Sequence, residues 1–244
     1  MKRQRLNWQE KVRKNVRKIM DFEHVKAVFE EYLNGYDREN DKVKLKIVHT
    51  YGVIRCSEEI GRRMGLQAED MELAKLIALL HDIGRFEQLK RFNSFEADTM
   101  DHATYGVQVL FEEGMIRQFI EEDTWDDVIR TAIAKHSDYE LTGITDERTL
   151  LHARLIRDAD KLDNCRVKLE DAMETLLDLS ADEVGKYAIS PKVREDAFAG
   201  KCICSKDRRT PMDYWVSYVA YFYDLNFRET LDIVAEEQYV KRII

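Results

Sequence analysis

Turn-forming residues are scarce in this chain. Only 2 of its 244 residues are proline and 10 are glycine, while Leu, Ala, Glu, Lys and Arg abound. That balance excludes a fold of hairpins and tight turns and argues for an all-α protein. Cysteine is equally sparse. Cys56, Cys165, Cys202 and Cys204 form no C-x-x-C pair, and Cys202-Ile203-Cys204 is too close-set for a zinc knuckle. With no secretory signal in evidence, reduced thiols in a cytoplasmic protein are expected. No apolar run approaches the length that spans a bilayer, so no membrane partner is expected. The net charge of -8 gives no warrant for nucleic-acid binding by the whole surface.

What charge there is lies unevenly. Residues 1–20 carry eight Lys or Arg against one Glu, with Trp8, Val12, Val16 and Ile19 along one face. A solvated amphipathic helix is the preferred reading, and membrane or polyanion contact the sharper one. No linker, repeat or low-complexity tract divides the remainder. A single domain over residues 1–244 is expected, its core at about 40–179, with the N-terminal basic helix and further C-terminal helices packed on it.

Apolar periodicity predicts helices over 22–34, about 40–64 and 71–80. Val43, Ile47, Val48, Tyr51, Ile54 and Ile60 form the buried side of the second, which closes at Gly65. Residues 85–101 mix aromatics with three cations and show no sustained helical period, so they read as a loop that forms part of a site. Asp101 is the expected N-cap of a helix that Gly114 interrupts. Further helices are predicted over about 125–135 and 147–179, and two short ones between 182 and 199, split at Ser190-Pro191. The aromatics after Pro211 (Trp215, Tyr218, Tyr221, Phe222, Tyr223 and Phe227) are expected to pack on the main bundle.

The stretch Leu79-Leu80-His81-Asp82-Ile83-Gly84-Arg85 is chemically awkward. It sets two strong metal ligands at the end of an apolar helix, where a buried carboxylate needs a partner. Helix capping would explain His81-Asp82 taken alone. Other candidates recur, however: His49 among apolar positions of the second helix, His102, His136, and Asp160 between Leu155, Ile156, Ala159 and Leu162. His24 is expected at the surface and His152 in a structural role. Imidazole and carboxylate without thiolate suit Fe, Mn, Ni, Co or Zn. His49, His81, Asp82 and Asp160 suffice for one ion. With Asp82 bridging, His102 and His136 complete a second.

This order resembles the HD-domain superfamily over roughly residues 45–165. The matching pieces are His49, the His-Asp-Ile-Gly-Arg run at 81–85, Asp101-His102 with Gly106, His136, and Asp160-Lys161. The resemblance implies an HD-domain helical bundle with a dinuclear site of two divalent transition-metal ions. It also implies a metal-dependent phosphohydrolase that activates water against a phosphate ester of a small molecule or nucleotide. Asp82 is then the central catalytic residue, and Arg85, Lys161 and, more weakly, Lys90 and Arg91 are candidates for holding a small phosphorylated substrate. After His136 the chain reads Ser137-Asp138-Tyr139 where cyclic-dinucleotide phosphodiesterases have Gly-Tyr-Pro, which speaks against that activity. A small branch of similar proteins, including myo-inositol oxygenase and an oxygenase of organophosphonate breakdown, holds two irons on the same ligand types. A dinuclear iron oxygenase acting on a polyol or organophosphonate is therefore the alternative, and Tyr36-Asp37-Arg38-Glu39 loosely matches a Tyr-x-x-Glu element of the phosphonate enzyme.

Overall fold

In the computed structural model, residues 20–96, 98–170 and 173–243 are described, so nearly all of the basic segment 1–20 lies outside them. Asp21 opens the first helix, α1 (Phe22–Leu33), by accepting the His24 backbone N–H. Asn40 does the same for α2 (Asp41–Met64): its Oδ1 accepts from Lys42 N at 3.0 Å and Val43 N at 3.2 Å. Then come α3 (Ala68–Leu80), α4 (Ile83–Phe92) and α5 (His102–Val107), the last continued by a π-helical turn over Gln108–Glu112. After α6 (Ile116–Phe119) follow α7 (Asp126–Lys135) and the second long helix, α8 (Glu147–Glu170). Shorter helices complete the chain: α9 (Met173–Leu177), α10 (Ala181–Val184), α11 (Pro191–Phe198), α12 (Pro211–Val219), α13 (Arg228–Glu236) and α14 (Tyr239–Ile243). The fold is all-α, with no strand among the described residues. None of its described helices is long and apolar enough to cross a membrane.

The two long helices run against each other, and α3 and α7 close over them. Val53, Ile60, Leu76, Leu80, Ile129, Ile133, Leu155 and Ile156 form the shared core. Gly52 permits the closest approach of α2 to α8, since a Cβ there would lie 1.9 Å from Asp163 Oδ1. Gly84 permits a second, between α4 and α5: its Cβ would meet the His102 carbonyl oxygen at 2.2 Å and Gly106 N at 2.7 Å. A glycine inside a helix costs roughly 1 kcal/mol relative to alanine. Both positions use it where no side chain fits.

The C-terminal helices are fastened to α8 by a buried carboxylate. Asp158 accepts from the backbone N–H groups of Asn226 (2.9 Å) and Phe227 (3.0 Å) and from Thr230 Oγ1 (2.8 Å), and so ties the residues that lead into α13 to α8.

Several sequence readings need correction. Residues 83–92 are helical, with Ile83, Phe86 and Leu89 buried at spacing three, so only 93–101 form the expected loop. Val48 is 50% exposed and does not belong to the buried side of α2. Within the helix expected over 147–179, Glu147–Glu170 and Met173–Leu177 are helical among the described residues. The C-terminal aromatics divide. Phe222 and Phe227 pack on the main core as expected, whereas Tyr218 and Tyr221 face a cavity.

Candidate metal centre

His81 is the residue on which α3 ends, and Asp82 precedes α4 without capping it. Both side chains are therefore free to turn inward. His49 comes from the middle of α2, His102 from the first turn of α5, His136 from the residue after α7, and Asp160 from the middle of α8. Five helices thus bring all six residues chosen on the sequence to one place. They fall into two groups whose candidate ligand atoms lie within 4.8 Å of one another: His49, His81 and Asp160, and Asp82, His102 and His136. Asp82 joins them. Its Oδ1 is 3.2 Å from His102 Nε2 and 3.6 Å from His136 Nε2, while its Oδ2 is 3.5 Å from His81 Nε2.

Backbone carbonyls set the ring tautomers. His81 Nδ1–H donates to Ala78 O, and His136 Nδ1–H donates to Ile133 O, each at 2.7 Å. Each ring therefore presents a bare Nε2 lone pair. That of His81 is buried with no hydrogen-bond partner among the described residues. That of His136 faces His102 Nε2 at 3.1 Å. An orphaned lone pair, and two nitrogens turned toward each other, suit a cation between them better than they suit each other.

The charge states agree. Burial pushes His81 down to about 4, and burial together with the Arg85 guanidinium takes His102 down to about 3, so both rings are neutral donors near pH 7. Burial opposes the charged form of Asp82, but the Lys46 ammonium together with the contacts to His81, His102 and His136 holds this carboxyl well below the usual range. For Asp160 burial is overcome chiefly by the bond to His49. Burial and Lys46 likewise oppose a charged His49, yet its bonds to Asp160 and Asp163 raise its pKa. Two carboxylates and four imidazoles without thiolate make a donor set for a divalent transition metal.

A cavity of about 500 Å³ opens over these residues. Arg85 and Lys161 line it; Lys90 and Arg91 do not. Arg85 is not the free guanidinium expected from the sequence. It sits in the first turn of α4 and donates to Gln88 Oε1, to Phe95 O at 3.3 Å and to His102 Nε2 at 2.9 Å. Lys161 is bonded to Asp224. Arg91 pairs with Glu87 on the outside, and Lys90 reaches Gly35 O. The Tyr36-x-x-Glu39 element stays away from the cavity: Tyr36 bonds Tyr32, and Glu39 pairs with Lys44. His24 is exposed, and His152 is buried against Asp70, as expected for residues outside the site.

Sequence reasoning missed three residues here. Asp163 accepts His49 Nδ1–H at 2.8 Å, and the one signal for it is Gly52, which makes the room it occupies. Lys46, one turn before His49, reaches Asp82 Oδ2 at 2.6 Å. Arg157, one turn before Asp160, donates to the carbonyls of Lys135, His136, Asp138 and Tyr139 and fixes the turn that carries His136.

A family model described as HD domain matches residues 47–165. Ribonuclease Y of Acetivibrio thermocellus is 30% identical over 165 residues, covering 64% of this chain and 27% of that protein. The chain thus spans little more than a quarter of the length of that relative. No solved structure matches significantly. All six converging residues lie inside the matched span, so the chain carries an HD domain over residues 47–165.

Proposed function

We propose that the protein hydrolyses a phosphate ester of a small molecule with water as nucleophile. It would hold one divalent ion on His49, His81, Asp82 and Asp160 and a second on Asp82, His102 and His136. The observation that carries this reading is Asp82, whose two carboxylate oxygens face different ligand groups. An ion pair held there would acidify water and offset phosphoryl charge.

The chain's own residues supply the rest. Asp82 fixes the spacing between the groups, with Lys46 beside it as a partly buried positive charge. Arg85, held by Gln88 at the cavity wall, sets a positive charge beside the phosphoryl position. Arg157 positions His136 through the turn it binds. The described C-terminal segment contributes the far wall of the cavity, which supports reading the chain as one functional unit.

Similarity to a protein named ribonuclease favours a second reading, in which the ester is an RNA phosphodiester. The deciding experiment combines metal analysis of aerobically and anaerobically purified protein with assays on phosphomonoesters, short oligoribonucleotides and O₂ uptake. The proposal expects monoester hydrolysis that chelator removes and added metal restores. Cleavage confined to oligoribonucleotides selects the second reading. Bound iron with an O₂-responsive charge-transfer colour and no hydrolysis selects the oxygenase instead.

A further inference from the structure

The cavity carries charge of both signs. Around the candidate metal centre, Asp82, Asp160 and Asp101 line it against Lys46 and Arg85. The wall built by α8 and the C-terminal segment adds further cations. Arg157, 3% exposed, and Lys161, 11% exposed, both bond the same oxygen, Asp224 Oδ2. Arg208 adds a third cation. Its guanidinium stacks over Tyr214 with 4.2 Å to the ring centroid, its Nε reaches only Ser205 O at 3.4 Å, and no carboxylate among the described residues pairs with it. Glu96, across the mouth, is bonded through Oε2 to the Tyr214 hydroxyl at 2.7 Å. With Glu96 and Asp138 counted beside Asp224, the cations Arg157, Lys161, Lys168 and Arg208 still outnumber the carboxylates on this wall.

Two uncharged donors stand beside them. The hydroxyls of Tyr218 and Tyr221 line the cavity and have no hydrogen-bond partner among the described residues. Burial above all raises both phenols, so each remains a protonated donor at any ordinary pH. Unmatched positive charge and unpartnered O–H groups, enclosed together in a cavity wall, form a binding site for an anion.

We infer that Arg208, Tyr218 and Tyr221 hold a second phosphoryl group of the substrate, so that the ester hydrolysed at the metal centre belongs to a bisphosphate. This rests on the hydrolase reading above and narrows its substrate class. The reacting phosphate lies over the His and Asp cluster, and the remaining one is gripped by the C-terminal wall. The residues concerned lie outside the HD domain at 47–165, so the selection of substrate would reside in the C-terminal segment.

Matched pairs test it: a nucleoside 3′,5′-bisphosphate against its 5′-monophosphate, and a hexose bisphosphate against its monophosphate. Within at least one pair the wild type should favour the bisphosphate in kcat/KM. The variants Arg208→Gln and Tyr221→Phe should reduce that ratio, by about tenfold for Arg208→Gln, the value of a hydrogen bond to a charged group. An absent preference, or equal proportional loss on both members of a pair, overturns the inference. If the wild type hydrolyses none of the four, the hydrolase reading fails separately, and the same pairs are compared by calorimetric binding. Tighter bisphosphate binding that weakens in Arg208→Gln then sustains the anion site, and equal binding removes it.

Discussion

Asp163 Oδ2 accepts the Nδ1 hydrogen of His49 at 2.8 Å, and Arg166 grips the same carboxylate at 2.8 and 3.0 Å. The carboxylate fixes the ring and leaves Nε2 as the nitrogen that faces Asp160. Such a partner also makes the imidazole a stronger ligand. Asp163→Asn should lower metal affinity by about 10- to 100-fold while the protein stays folded. Metal titration alongside circular dichroism checks this, and an unchanged affinity would show that Asp163 serves only to pack α2 on α8.

Because Asp82 faces both groups, Asp82→Asn should reduce metal content at both positions. His136→Ala should cost only the ion on the Asp82, His102 and His136 side. Elemental analysis of the purified variants distinguishes the two patterns. Full metal content in Asp82→Asn would refute the bridge.

Arg85 is anchored through Nη1 by Gln88 and Phe95 and donates from Nη2 to His102, while its buried Nε–H has no hydrogen-bond partner among the described residues. Arg85→Ala should keep bound metal yet slow phosphate-ester turnover, with a loss of about 2–4 kcal/mol in transition-state stabilisation. Arg85→Lys should recover part of it, because an ammonium supplies charge without the planar fork. Wild-type turnover in Arg85→Ala would leave this arginine a purely structural role.

Far from the cavity, His152 Nε2 bonds Asp70 at 3.0 Å while its buried Nδ1 has no partner among the described residues. Burial lowers its pKa, and the Asp70 bond opposes the shift without cancelling it. The unfolded chain takes up a proton at about pH 6.5, whereas the native state resists it until lower pH. Stability from this residue is therefore complete above about pH 6.5 and falls as the solution is acidified through that value toward the native pKa. In metal-stripped protein, His152→Gln should flatten this acid limb relative to wild type. Urea midpoints measured across pH 4.5–7.5 provide the comparison, and parallel curves would show that His152 titrates alike in both states.

Much of the centre is readable in the sequence because its ligands sit where a polar group has no business: His49 among the apolar positions of α2, and Asp160 among those of α8. One helix start was legible too, since Asp101 caps the helix expected to follow it. The helix over 83–92 was hidden by its composition. Gln88, which a periodicity count scores as polar, is fully buried because it holds the following loop through Glu96 O and Thr99 Oγ1. Asp163 escaped because supporting carboxylates have no pattern of their own. The division of the C-terminal aromatics escaped because a stripe that packs on a core and one that lines a cavity show the same spacing.

The crossing at Gly84 has a consequence for how such a protein can change. Bare backbone there meets bare backbone, so the gauge between the His81-Asp82 turn and His102 is not a matter of side-chain fit. A packed interface can be retuned one methyl at a time, but this one has no methyl to trim. The candidate metal centre is thus a part of fixed dimension, to which an ion would have to conform. The wall carrying Tyr218, Tyr221 and Arg208 consists of side chains on a separate stretch of chain, and it can be redrawn for a new substrate without disturbing that gauge.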